Sequence, residues 1–179
     1  MNPYLLARAL HIAGAGFFFL SMGVEWMALR SLRRASTDAA LDSGVSDFRL
    51  ARKLDGLGAL FSLAGGLYLA TTVWQWHGGW LHTGVTLFFI VWGITGMVSG
   101  RGVRRLAAAT GDQRAAMQRS PRLFIALASR FGLLLATLAI MVLKPGPALQ
   151  GALVLVSQVG AAVTWLSARR SGSSTASSP

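Results

Sequence analysis

Five long apolar stretches, separated by short polar or basic segments, dominate this sequence. They cover residues 5–29, 54–76, 81–100, 123–143 and 148–166. An α-helix rises ~1.5 Å per residue, so a helix of ~20 residues crosses the ~30 Å hydrocarbon core of a bilayer. The sequence therefore predicts an all-α, polytopic membrane helix bundle of about five transmembrane helices, formed as a single unit by residues 1–168.

The basic residues are sorted to one end of these predicted spans. Of the 17 Lys and Arg residues, six lie between the first and second spans, six lie between the third and fourth, and Arg169 and Arg170 follow the fifth. Cytoplasmic loops collect Lys and Arg, which predicts an N-out, C-in multi-pass protein of a bacterial cytoplasmic (inner) membrane. Residues 169–179 are rich in Ser and poor in apolar residues, and we expect them to form a disordered cytoplasmic tail.

The net charge of +11 bears on the partners of the chain. Nucleic-acid binding is not indicated, because the basic segments lack interleaved exposed aromatic residues and topology already accounts for the charge. The expected partner is the lipid bilayer, with anionic lipid headgroups contacting the inner basic loops. Small residues such as Gly96 and Gly100 form a face for close helix packing, within one chain or in a homo-oligomer.

Ionisable residues inside the spans are few, and Arg130 is the most unusual of them. It lies about two turns inside the fourth span, where an unpaired charge is costly. Glu25 and Asp55 are acids at the same predicted end of the bundle, and we expect Arg130 to form a buried charge pair with Glu25 or Asp55. Such a pair would fix helix register, or it would form a site for an anion or a proton.

His11 and His82 are the candidate cofactor-binding residues. Both lie in the N-terminal part of spans that run in the same direction, which places them in the outer half of the bundle. Histidine ligates haem iron, copper and zinc. However, His82 lies at a shallower depth than His11, and the alternative is that His11 is a hydrogen-bonded packing residue. We predict no catalytic residues and no metal site, since no HExxH, phosphate-binding or nucleophile-elbow motif occurs and the chain has no cysteine.

Several short segments resemble a known superfamily. They are ALHIAG from Ala9, GGLYL from Gly65, GWL from Gly79 and MVLKP from Met141. These segments are similar to small bacterial membrane proteins that include the copper-resistance D-like domains, the J-type protoporphyrinogen oxidases and uncharacterised integral membrane proteins. In the oxidase branch, the resemblance implies that His11 ligates haem b. The lysine near span three that the oxidase branch uses is replaced here by His82, so the uncharacterised members are the better match.

The sequence thus favours a small integral membrane protein with a structural or accessory role. Two alternatives remain. One is a haem- or metal-binding membrane redox protein that uses His11. The other is a translocator of small solutes or ions built around Arg130.

Overall fold

The computed structural model describes the backbone of residues 2–174 and the side chains of residues 2–163. Within those residues every regular element is helical, in agreement with the predicted all-α class. In chain order the helices are α1 (Pro3–Arg34), α2 (Asp38–Thr72), α3 (Gly79–Ile94), α4 (Gly100–Ala108), α5 (Gly111–Arg119), α6 (Arg122–Leu143) and α7 (Pro147–Ser174). A π-helical turn, Thr95–Ser99, joins α3 to α4 without a break.

Among the described residues, four helical segments are long and apolar enough to cross a membrane. They are Pro3–Arg34, Asp38–Thr72, Gly79–Ala108 and Gly111–Leu143. Their most apolar windows are only 28–33% buried inside the protein, so large apolar side chains face outward over most of each window. Such a surface is suited to lipid contact. The fifth segment, Pro147–Val163, is apolar but shorter, and its membrane crossing stays a prediction.

The first basic segment is mostly helical, whereas the sequence suggested a polar loop. α1 continues to Arg34 and α2 begins at Asp38, with the Thr37 side chain accepting a hydrogen bond from the Ala40 amide at 3.2 Å. The physical reason is continued packing beyond the apolar windows, where Leu32 and Leu41 are each at most 3% exposed. These buried contacts extend the antiparallel α1–α2 hairpin past the predicted spans.

Small residues bring α1 and α2 into backbone contact. A Cβ atom added at Gly14 would lie 2.6 Å from the Ser62 hydroxyl oxygen and 2.8 Å from the Gly58 carbonyl oxygen. One added at Gly65 would lie 2.7 Å from the His11 amide nitrogen. Close approach at small residues is the usual way in which membrane helices associate. This seam fixes the relative position of the two helices that carry the acids discussed below.

The C-terminal helix extends beyond the boundary expected from the sequence. α7 continues to Ser174, so residues 169–174 of the predicted tail are helical, while residues 175–179 lie outside the described residues. The backbone hydrogen bonds of a helix propagate cooperatively from an apolar segment into the polar residues that follow it. The helix therefore ends beyond the predicted span of residues 148–166.

Candidate functional site: a buried charge cluster

Arg130, Glu25 and Asp55 meet in the interior of the bundle and form what we call the charge cluster. Nη1 of Arg130 donates to Oε2 of Glu25, and Nη2 donates to Oδ1 of Asp55. Arg130 has no exposed surface, and the two acids are each 1% exposed. The sequence predicted a pair with one acid or the other, whereas the structure pairs the guanidinium with both.

Three helices supply these charges, because each carries one ionisable residue on its inward face. Glu25 lies on α1, Asp55 on α2 and Arg130 on α6. The Ser21 hydroxyl, one turn before Glu25, donates to the Ala51 carbonyl at 3.0 Å and also lies 3.4 Å from Oδ1 of Asp55. Ser21 therefore contacts the charge cluster directly. Its spacing of four residues from Glu25 was the signal that sequence reasoning overlooked.

The π-helical turn brings a fourth helical segment to the cluster. Ser99, its last residue, is fully buried, and its hydroxyl lies beside Glu25 without reaching hydrogen-bond geometry. The turn begins at Thr95, whose hydroxyl donates to the Val91 carbonyl at 3.0 Å. π-Helical turns are rare and are frequent at functional sites. Nothing in the sequence indicated this turn.

Gly96 and Gly100, which the sequence predicted to form a face for close helix packing, lie in and directly after this π-helical turn. A Cβ atom added at Gly96 would meet nothing within 4 Å, and one added at Gly100 would first meet the Thr95 carbonyl at 3.5 Å. Gly96 and Gly100 are therefore not points of close helix approach within the described chain. The π-helical turn rotates this part of the segment, which shifts the face that a regular α-helix would present.

The formal charges of the cluster do not cancel. Two carboxylates face one buried guanidinium, which leaves one excess negative charge when both acids are ionised. Arg52 adds a more distant positive charge, with Nη1 4.0 Å from Oδ2 of Asp55 and a side chain that is 37% exposed. Arg52 therefore links the interior of the cluster to the exposed surface.

Hydrogen-bonding capacity is also left over at the cluster. Oε1 of Glu25, Oδ2 of Asp55, Nε of Arg130 and the Ser99 hydroxyl are buried and have no hydrogen-bond partner in the protein. Most buried polar atoms in folded proteins are paired, so each such atom calls for an explanation. Bound water, which both donates and accepts, would satisfy these atoms.

His11 is held against α2. Its Nδ1 lies 2.9 Å from the Ser62 carbonyl oxygen, and a Cβ atom added at Gly66 would meet the same nitrogen at 2.9 Å. Because a carbonyl oxygen only accepts, Nδ1 donates in this contact, and in the neutral ring Nε2 is then the acceptor nitrogen. This arrangement is common for a histidine that binds a metal through its second nitrogen, and it is equally that of a hydrogen-bonded packing residue.

His82 has different surroundings from His11. It is exposed, and its ring lies 6.0 Å from the ring of Trp76 in the turn between α2 and α3. His11 contacts Ser62 and His82 contacts Trp76, so these contacts share no residue. The described residues contain no group of three or more His, Cys, Asp or Glu that could hold a metal ion. These contacts give no support to a haem or metal held jointly by His11 and His82.

The fold and the cluster together define a helical bundle with membrane-length apolar helices around a buried ion-paired core. No protein-family model, curated protein or solved structure matches the chain. The resemblance to the copper-resistance D-like and protoporphyrinogen oxidase superfamily therefore stays a prediction.

Proposed function

We propose that this protein is a structural or accessory membrane protein in which the charge cluster clamps the bundle in register. The observation that carries this proposal is the position of Arg130, which has no exposed surface and is paired with acids from two other helices. A guanidinium with such neighbours joins α6 to both helices of the α1–α2 hairpin. The protein would then act through its folded shape and its contacts, without transport or redox chemistry.

The energetics of buried ion pairs support the proposal that the charge cluster fixes the alignment of the packed helices. Taking two charges out of water costs several kcal/mol per ion, so a buried pair is not by itself a strong source of stability. Removing one partner is nonetheless costly, because the remaining charge is then uncompensated. A helix rotated or shifted by one residue would separate these charges. The cluster therefore disfavours alternative packings of the same apolar helices.

A second candidate function is translocation of protons or small ions through the charge cluster. The observation that favours it is the set of buried atoms without partners at Glu25, Asp55, Arg130 and Ser99. The adjacent π-helical turn and Arg52 also favour it, since such turns are frequent at functional sites and the Arg52 side chain is partly exposed beside the cluster.

One reconstitution experiment separates the two candidates. The purified protein and a charge-free variant (Arg130→Met, Glu25→Gln, Asp55→Asn) are placed in vesicles that contain a pH-sensitive dye, and proton flux is measured under an imposed membrane potential. The structural proposal predicts the same flux for wild type, variant and empty vesicles. Flux that appears with wild type and disappears in the folded charge-free variant would replace it with the translocator.

We further propose that the chain resides in a bacterial inner membrane with both basic segments in the cytoplasm. Twelve of the 17 Lys and Arg residues lie in those two segments, and cytoplasmic loops carry an excess of such residues. Under this orientation the charge cluster lies in the cytoplasmic half of the bilayer, and His11 lies in the outer half.

A further inference from the structure

An apolar groove of about 680 Å³ runs along the surface between α1, α6 and α7. Phe19, Met22 and Gly23 line it from α1, Phe131 and Leu135 line it from α6, and α7 forms the far wall. The volume is within the range of about 300–1,000 Å³ that is typical of small-molecule sites. Because the lining is almost entirely apolar, the occupant must present a hydrocarbon surface.

An aromatic pair closes one end of this groove. The rings of Trp26 on α1 and Phe124 on α6 lie 4.9 Å apart, centroid to centroid. The same two residues also line a second, smaller cavity of about 50 Å³ together with Arg30 and Arg33. We call this smaller cavity the basic cavity for its two arginines, although most of its lining is apolar. It and the apolar groove are neighbours that share the aromatic pair as their common wall.

The basic cavity is held in a defined geometry. Nη2 of Arg33 donates to the Ser120 carbonyl at 3.1 Å, and the guanidinium carbon lies 5.5 Å from the centre of the Phe124 ring. This arrangement fixes one guanidinium beside the aromatic pair. Arg30, one turn earlier on α1, adds a second positive charge at the same opening.

We propose that the groove binds an acyl chain of an anionic phospholipid, whose phosphate is held by Arg30 and Arg33. The order along the site is that of a lipid in a bilayer: an apolar chain, an aromatic pair at the headgroup level, and then a charged group. Charge favours this occupant over a helix from a second copy of the chain. A second copy carries 17 basic but only 6 acidic residues, so it is less suited than an anionic lipid to place negative charge at two arginines.

Native mass spectrometry of the full chain in detergent tests the headgroup part of this inference. Phosphatidylglycerol and phosphatidylcholine with identical acyl chains are titrated separately, and we expect a one-to-one complex that strongly favours phosphatidylglycerol. Near a membrane surface each Lys or Arg contributes enough to anionic lipid binding that losing two should weaken it about tenfold or more. We therefore expect that loss in the Arg30→Gln, Arg33→Gln double variant.

The control variant removes the same charge elsewhere. Arg104 and Arg105 are exposed and lie in the second basic segment, and an Arg104→Gln, Arg105→Gln variant should bind phosphatidylglycerol like wild type. Equal weakening in both double variants would mean that the lipid responds to net charge alone. No weakening in the Arg30, Arg33 variant would mean that these arginines do not hold the phosphate. Either result overturns the proposal.

A second pair of variants tests the groove itself. Gly23 lines the groove and a Cβ atom added there would meet nothing within 4 Å, so Gly23→Leu fills the groove without a clash at its Cβ. Gly16 is equally open, lies on the same helix and is not among the groove-lining residues, which makes Gly16→Leu the matched control. We expect Gly23→Leu alone to weaken lipid binding severalfold, with an unchanged melting temperature. Unchanged binding in Gly23→Leu would exclude the groove as the acyl site.

Discussion

The guanidinium of Arg130 and the carboxylate of Asp55 are ion-paired across 75 positions of the sequence, with both side chains at most 2% exposed. The same guanidinium also holds Glu25, so one residue of α6 joins both helices of the α1–α2 hairpin. Three helices thus depend on one side chain for their charge balance.

The first prediction concerns the removal of that side chain. Arg130→Met leaves two carboxylates buried without their principal counter-charge, and breaking a buried pair in this way costs about 3–5 kcal/mol. We expect a large fall in the melting temperature measured by circular dichroism in detergent. The charge-free variant with Glu25→Gln and Asp55→Asn should recover most of the loss, because no uncompensated charge remains. A single variant as stable as wild type would contradict the clamp.

Removal of the exposed ion pair between Arg114 and Asp38 should change the stability of the protein much less. Their distance is 2.5 Å, yet the Asp38 side chain is 85% exposed. Water and salt screen such a pair, and its contribution is about 1 kcal/mol or less. We expect Asp38→Asn to shift the melting temperature only slightly in the same assay. A loss as large as that of Arg130→Met would show that burial does not govern these energies.

Another prediction concerns the seam between α1 and α2. A Cβ at Gly14 would collide with the Ser62 backbone and hydroxyl, whereas a Cβ at Gly16 would meet nothing within 4 Å. Overpacking of this kind costs about 1–3 kcal/mol, so Gly14→Ala should destabilise the protein and Gly16→Ala should not. Thermal unfolding of the two variants side by side measures the difference. Equal effects would mean that the helices are not in backbone contact at this position.

A fourth prediction separates the two possible roles of His11. As a packing residue, His11 loses one hydrogen bond to the Ser62 carbonyl in His11→Ala, a cost of about 0.5–1.5 kcal/mol. Exposed His82 should tolerate the same change. The absorption spectrum of the purified protein provides the second measurement. A Soret band that His11→Ala abolishes would assign His11 to a haem and would reject the packing role.

The last prediction concerns topology. A reporter that is active only outside the cytoplasm is fused either in the turn after Lys144 or at the C-terminus. The charge distribution predicts activity in the first fusion and none in the second. Activity in both would mean that α7 does not cross the membrane and that the protein has four spans.

The positions of the helices could be predicted from the sequence more fully than the contacts of the charge cluster. The positions of the apolar helices could be predicted because a segment in hydrocarbon must satisfy its own backbone hydrogen bonds, which makes helix formation a local property of length and apolarity. The hydrocarbon core also explains why Arg130 could be predicted to need an acidic partner, because an unpaired charge is costly in that medium. The limits of the helices beyond the predicted spans were less predictable, as the continuation of α1 to Arg34 shows.

What the tertiary structure decided was which side chains meet. Apolarity and length leave the rotation of each helix about its axis undetermined, and rotation selects the residues that face the interior. Packing at Gly14 and Ser62 set the relation of α1 to α2, so that both Glu25 and Asp55 reach Arg130. The π-helical turn then placed Ser99 beside Glu25, a position that regular helical spacing does not predict. The sequence alone determined that this is a chain of membrane-length helices with a buried charge to neutralise, and only packing decided where those helices bring their polar groups together.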